Sequence, residues 1–198
     1  MKVGIPNGAL GRSSFFNSVG YDIGGLFYNF SELENGILRG NKKAPGQFSV
    51  PFADRDPRKK LVLEKADPRI HFALNCGAKS CPPVKKFSAT AINEELRIVA
   101  QAFCEQEDNV FVDEKSNTLK LTKIMSWYGS DFSSSSQQLP EAIVPFLRGE
   151  NQEKLLKMIE SNKKIKIVFL DYDWGTNASN SVKFDKSSLS LTKIGLTY

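Results

Sequence analysis

The alternation of apolar and polar positions divides the chain into short segments. In "SATAINEELRIVAQAFCEQ", Ile92, Leu96, Val99 and Phe103 recur at intervals of four, three and four, which predicts one buried helix face. Cys104 lies beside that stripe and reads as core filler. "KIKIVFLDYDW" has the β-branched and aromatic run of a core strand. "RIHFALNC" reads as a second one, with Phe72, Leu74 and Cys76 on one face and His71, Ala73 and Asn75 on the other. "NVFVDEKSNTLKLT" predicts a hairpin, "KIMSWYGSDF" a short helical turn and "SSSSQQ" a flexible loop. Helical segments are expected at 139–148, interrupted by Pro145, and at 151–161. A last strand is expected near "SLSLTKIG".

The first part of the chain is patterned differently. "GRSSFFNSVGYDIGGLFYNF" is rich in glycine and aromatics, and Gly24-Gly25 predicts a turn between two aromatic-bearing segments. The G-x-G-x-x-G spacing of a phosphate-binding loop is missing. Ser31 and Glu34 in "SELENGILRG" have capping-box spacing and predict a short helix. Leu33, Ile37 and Leu38 should face inward, and Gly40 should stop it. Residues 41–60 read as an irregular loop with three prolines. Helices and strands intermix without a regular βαβ rhythm. This predicts a single α+β domain, with a mainly antiparallel or mixed sheet flanked by helices.

Composition narrows the setting. A chain of 198 residues builds a core without disulfide staples. No apolar run approaches the roughly 18 residues of a transmembrane helix. The lysine in "MKVGIPNGALGRSS" is followed by no apolar stretch, so no signal peptide is expected. An odd cysteine count of three fits a reducing, cytoplasmic setting. The net charge of +5 is scattered through "NKK", "DPRKK", "VKK" and "SNKK". With little aromatic interleaving, this argues against a nucleic-acid groove. Solvated surface lysines account for it better than attraction to an acidic partner or membrane surface.

Candidate chemistry concentrates in "DPRIHFALNCGAKSCPPV", residues 67–84, which holds the chain's one histidine and two of its three cysteines. On an extended strand His71 and Cys76 would lie about 16 Å apart, whereas a thiol–imidazole pair needs about 3–4 Å. Cys81 is better placed if the chain folds back at Gly77. The C-x₄-C spacing departs from both the C-x₂-C zinc clip and the C-x-x-C redox motif, so neither a metal nor a cofactor is expected. Lys79 would lower a nearby thiol pKa, and Gly77 and Ser80 leave backbone amides free to face an anion. Composition alone favours the plainer alternative: a buried strand cysteine, a hydrogen-bonded histidine and a proline-terminated turn.

The same run closely resembles the hallmark segment of the domain of unknown function 547 family. "YDIGGLFYNFSELENGILRGN", "PFADRDPR", "WYGSDF" and "FLDYDWGTN" resemble further family segments in the same order. The resemblance implies a domain over residues 15–178, with 1–14 an extension or truncated start and 179–198 a tail. It places the family's recurrent polar positions on Glu34, Arg39, His71, Cys76, Cys81, Asp131, Asp173 and Asn177. A strand histidine with a later strand acid is also similar to the His–Asp half of papain- or transglutaminase-like folds. Two departures stand out. The family's usual N-terminal amphipathic helix has no counterpart before Phe15, and Thr176 stands where a leucine usually precedes Asn177.

These readings leave three functions open. The first is a regulatory or interaction module, binding a protein or small molecule, with a structural His/Cys/acid cluster. The second is a thiol-dependent hydrolase or acyltransferase using Cys76 or Cys81, with His71 oriented by Asp173 or Glu34. In it, Asn75, Lys79, Ser80, Arg39, Asp131 and Asn177 are supporting positions. The third is a redox pair of Cys76 and Cys81.

Overall fold

The computed structural model describes Pro6 and residues 8–177. Its helices and two small sheets make it α+β. The residues form two compact units. One holds Pro6 and residues 8–67, 76–80 and 173–177; the other holds Pro68–Asn75 and Cys81–Tyr172.

The first unit opens with helix α1 (Gly8–Phe16), for which the apolar pattern predicts nothing and whose buried residue is Arg12. Strands β1 (Gly20–Ile23) and β2 (Leu26–Asn29) pair antiparallel. The expected turn joins them: Gly24 and Gly25 have φ of 60° and 79°, the left-handed pair that matches strand twist in a tight hairpin. The helical segment that follows is a π-helix, Glu32–Leu38.

Its cap differs from expectation. Ser31 makes no capping bond. Instead the Glu32 amide donates to Asn29 Oδ1 at 2.8 Å, and the Asn29 amide donates to Glu32 Oε2 at 3.0 Å. The box therefore sits two residues earlier, where Asn29 offers a better acceptor than a serine already in helical backbone geometry. The buried face also differs. Asn35, Gly36 and Arg39 are buried, while Leu33, Ile37 and Leu38 are half-buried. Gly36 is required there, because a Cβ would come within 2.4 Å of the Phe52 ring.

In the second unit, "RIHFALN" is not a core strand. Pro68–Phe72 is a 3₁₀ helix, and the Leu74 amide donates back to the Ile70 carbonyl at 2.9 Å. Ile70, His71 and Phe72 are buried consecutively, without alternation. A short apolar run does not by itself separate strand from helix, and the leading Pro68 has the fixed φ that a first helical turn accepts. The expected 16 Å separation rested on extended backbone and does not apply.

The other elements follow the pattern closely. Helix α2 (Ile92–Cys104) buries Leu96, Ala100, Phe103 and Cys104, though Ile92 is exposed. Strands β3 (Val110–Asp113) and β4 (Thr118–Leu121) form the hairpin. Short helices α3 (Lys123–Trp127) and α4 (Gly129–Phe132) follow. Next come α5 (Leu139–Ile143), a 3₁₀ turn over Val144–Phe146 containing Pro145, and α6 (Gly149–Glu160). Strand β5 (Lys166–Phe169) pairs parallel to β4, giving a mixed sheet in the order β3-β4-β5. Phe72, Phe103, Leu119, Leu121, Met125, Ile143 and Leu155 belong to the apolar core on this sheet. The expected strand near "SLSLTKIG" lies outside the described residues.

Candidate functional site

His71 is brought in by the 3₁₀ turn and meets α4. Its Nε2 lies 2.9 Å from Asp131 Oδ2, and the side chains are 1% and 0% exposed. Tyr128, just before α4, stacks on the imidazole with ring centroids 4.1 Å apart. The Phe132 ring lies 5.7 Å away. A carboxylate sealed from water is costly unless paired, so the imidazole and carboxylate stabilise each other. With Asp131 ionised, Nε2 carries the proton it donates to the carboxylate, and the pair fixes the ring's orientation. The acid on the histidine is thus Asp131, on a helix, where Asp173 or Glu34 was expected. Neither partner lies on a strand, which removes the geometry behind the papain-like analogy.

Cys81 belongs to the same unit. Its Sγ lies 3.1 Å from the Tyr172 hydroxyl, and Tyr172 packs edge-on against Trp127 with centroids 4.9 Å apart. The Asn75 side-chain amide donates to the Pro82 carbonyl and so closes the turn that carries Cys81. Phe132, which touches His71, also lines an open cleft of about 480 Å³ with Ser133, Ser134, Gln138, Glu141 and Ala142.

The remaining candidates belong to the first unit. There Cys76–Ser80 lies against the segment 173–177, through a bridge between Ala78 and Thr176. The Lys79 amide donates to Gly175 O at 2.9 Å, and the Asn177 amide to Gly77 O at 3.1 Å. Ser80 Oγ accepts from the Asp173 amide at 2.9 Å. Asp173 Oδ1 accepts from the Gly175 amide at 2.7 Å, and its Oδ2 lies 3.8 Å from Lys79 Nζ at the surface. The Ser80 amide, expected to be free to face an anion, instead donates to Asp173 O at 3.4 Å, and the amides of Lys79 and Asn177 are likewise bonded to backbone carbonyls. Arg39 donates to Asn35 Oδ1 at 2.6 Å and to Lys43 O at 3.0 Å. The backbone carbonyl of Glu34 accepts from the Arg39 amide.

Sequence reasoning missed the residue that ties this assembly together. Arg12 is buried and donates from Nε to Cys76 O at 3.0 Å, from one terminal nitrogen to Trp174 O at 2.8 Å, and from the other to Gly77 O at 2.9 Å. Only a guanidinium supplies that many donors in a rigid fork. Tyr128 and Tyr172 were also missed, though both sit inside quoted motifs, "WYGSDF" and "FLDYDW". None of the three cysteines forms a disulfide. Burial pushes the Cys104 thiol pKa far up, in keeping with an inert filler. Among the described residues no group of three or more His, Cys, Asp or Glu is placed to hold a metal ion. Among the described residues no helix is long and apolar enough to cross a membrane.

A family model described as "Protein of unknown function, DUF547" matches residues 1–104, a span containing His71, Cys76 and Cys81 but not Asp131, Asp173 or Asn177. Neither the curated proteins nor the solved structures contain a match.

Proposed function

Since the chain belongs to the DUF547 family, whose description assigns no activity, we propose from its geometry that it is an intracellular binding or regulatory module with the His71–Asp131 pair as an internal pin. The observation that carries this reading is the enclosure of the pair, with side chains 1% and 0% exposed and Tyr128 stacked on the ring. A general base must reach the proton it abstracts within about 3 Å or through one water, and a sealed imidazole is better suited to holding a 3₁₀ turn against a helix. The Cys81 thiol has the Tyr172 hydroxyl as a partner, a neutral group that does not stabilise a thiolate as a cation would.

The test is thiol reactivity. Cys76 and Cys81 should react with iodoacetamide no faster than an unperturbed thiol, at rates unchanged in Asp131→Asn. Selective fast labelling of one cysteine that is lost in Asp131→Asn would overturn the reading.

One observation favours a second reading, a thiol-dependent acyl-transfer enzyme. Holding Nε2 on a carboxylate leaves Nδ1 as the basic nitrogen, and a single ring, Phe132, touches both the imidazole and the open cleft. Opening that ring would expose the base. On this reading Phe132→Ala speeds thiol labelling in a manner that depends on His71.

A further inference from the structure

We propose that the loop between Asn41 and Phe52 is a membrane-docking finger, which places Phe48 in the interfacial zone of an anionic bilayer while neighbouring basic residues engage the headgroups. This inference concerns the first unit and rests on no role for the His71–Asp131 pair.

The base of the loop is tightly built. Asn41 adopts a left-handed conformation, φ 57°, and its side-chain amide bridges the closing residue. It donates to Phe52 O at 2.9 Å and accepts from the Phe52 amide at 2.9 Å. Those two bonds close the loop as a ladder pair closes a hairpin. Phe52 is buried against Gly36, meets Tyr28 edge to face at 6.3 Å, and lies under the Arg58 guanidinium at 4.6 Å. The Asn41 and Lys42 amides donate to Gly36 O and Asn35 O at the end of the π-helix.

The tip is the opposite. The Gln47 amide closes a turn on Ala44 O at 2.9 Å. Every residue from 45 to 50 is exposed, and Phe48 is 95% exposed. A fixed base that presents an almost fully solvated phenyl ring gains nothing for the fold from that ring.

Charge selects the occupant. Residues 42–65 hold seven Lys or Arg against three Asp or Glu. Asp54 and Asp56 are paired with Lys59 and Arg58. Lys43, Arg55, Lys60 and Lys65 are exposed and make no ion pair among the described residues. A protein interface would call for a broad apolar centre and is depleted in lysine. A narrow finger with one protruding aromatic and flanking lysines suits the boundary between headgroups and acyl chains, where buried apolar area and attraction to anionic lipid add.

The test is co-sedimentation of the full chain with vesicles of phosphatidylcholine alone or with about a third phosphatidylserine. Binding is expected only to the anionic vesicles. Phe48→Ser should weaken it about fivefold or more, and Lys43→Glu with Lys60→Glu by at least tenfold, on the scale of about fivefold per basic residue near a charged surface. All these side chains are solvated, so the variants should keep the parent circular dichroism and melting temperature. In Phe48→Trp, brominated acyl chains should quench the new fluorescence above the background from Trp127 and Trp174. Absence of binding to anionic vesicles would overturn the proposal. So would binding that the charge reversals abolish but Phe48→Ser leaves intact, since that is adsorption by net charge. Phe48-dependent self-association without vesicle binding would replace the bilayer with a second copy. A negative result leaves the thiol-reactivity test untouched, and the converse holds as well.

Discussion

In the second unit, Phe72, Phe103, Leu119, Leu121, Ile143 and Leu155 share one apolar core, and Phe72 touches the rings of Phe103, Phe132 and Phe146. In the first unit the buried apolar residues are few, and arginines hold the chain instead. Arg12 takes four backbone carbonyls, three of them distant in sequence, Arg39 takes a side-chain amide and a carbonyl, and Arg58 joins Asp56, Glu32 and Phe27 O beside two aromatic faces. A nondirectional core tolerates rearrangement of its contacts, whereas a guanidinium clasp fixes each carbonyl it binds. The segments carrying Cys76, Lys79, Asp173 and Asn177 are therefore positioned by directional bonds, whereas His71 and Cys81 combine apolar packing with single bonds to Asp131 and Tyr172.

The largest effect should come from the apolar side. Phe72→Ala empties the centre of the aromatic cluster and should cost about 3–5 kcal/mol, the range for truncating a buried phenyl ring. Urea denaturation followed by circular dichroism measures it. Arg12→Ala should cost about 2–3 kcal/mol, because charge-assisted bonds are lost and buried carbonyls lose their donor. Its signature is local: hydrogen exchange should accelerate at the Lys79 and Asn177 amides. Arg12→Lys should recover less than half, since an ammonium does not span three carbonyls. If Arg12→Ala left exchange unchanged, the distinction between a clasp and a core would collapse.

Asp131→Asn probes a buried polar pair on the apolar side. The amide keeps the shape but loses the charge, so a loss of about 1–2 kcal/mol is expected. The imidazole ¹⁵N shifts should change with it, because the acceptor that fixed the Nε2 proton is weaker. An unchanged tautomer would break the assignment of Asp131 as the orienting group.

These contrasts also explain what was legible beforehand. Leu96 and Phe103 on α2 were readable because burial on one face leaves a period in the sequence, and the strand "KIVF" because of its β-branched and aromatic run. Clasp residues leave none: Arg12 sits in a glycine- and serine-rich helix, and its bonds reach residues 64, 65 and 162 positions away. The resemblance named Asp131 as a family position but not as the partner of His71, because their contact spans 60 residues. "RIHFAL" was misread for another reason. Its apolar run is too short to carry a period, and the buried His71 is held by a helix rather than a neighbouring strand.

The smallest expected effect is acid sensitivity in the arginine-held unit. Side-chain hydrogen bonds from Arg58, and then its backbone amide on the same carboxylate, lower the Asp56 pKa from 3.8 to about 2. A carboxyl group depressed in the folded state stabilises the fold above its unfolded pKa and loses that contribution as pH falls through the folded value. The loss should therefore run from about pH 4 down to about pH 2. Asp56→Asn should flatten that part of the pH–stability curve and leave the curve above pH 5 parallel to the parent's. As a comparison, Glu94→Gln on α2 removes the partner of Arg97 in an exposed pair and should leave the urea midpoint unchanged. A pH-independent Asp56 would mean that Arg58 holds the hairpin through Phe27 O and the aromatic faces, with the carboxylate a bystander.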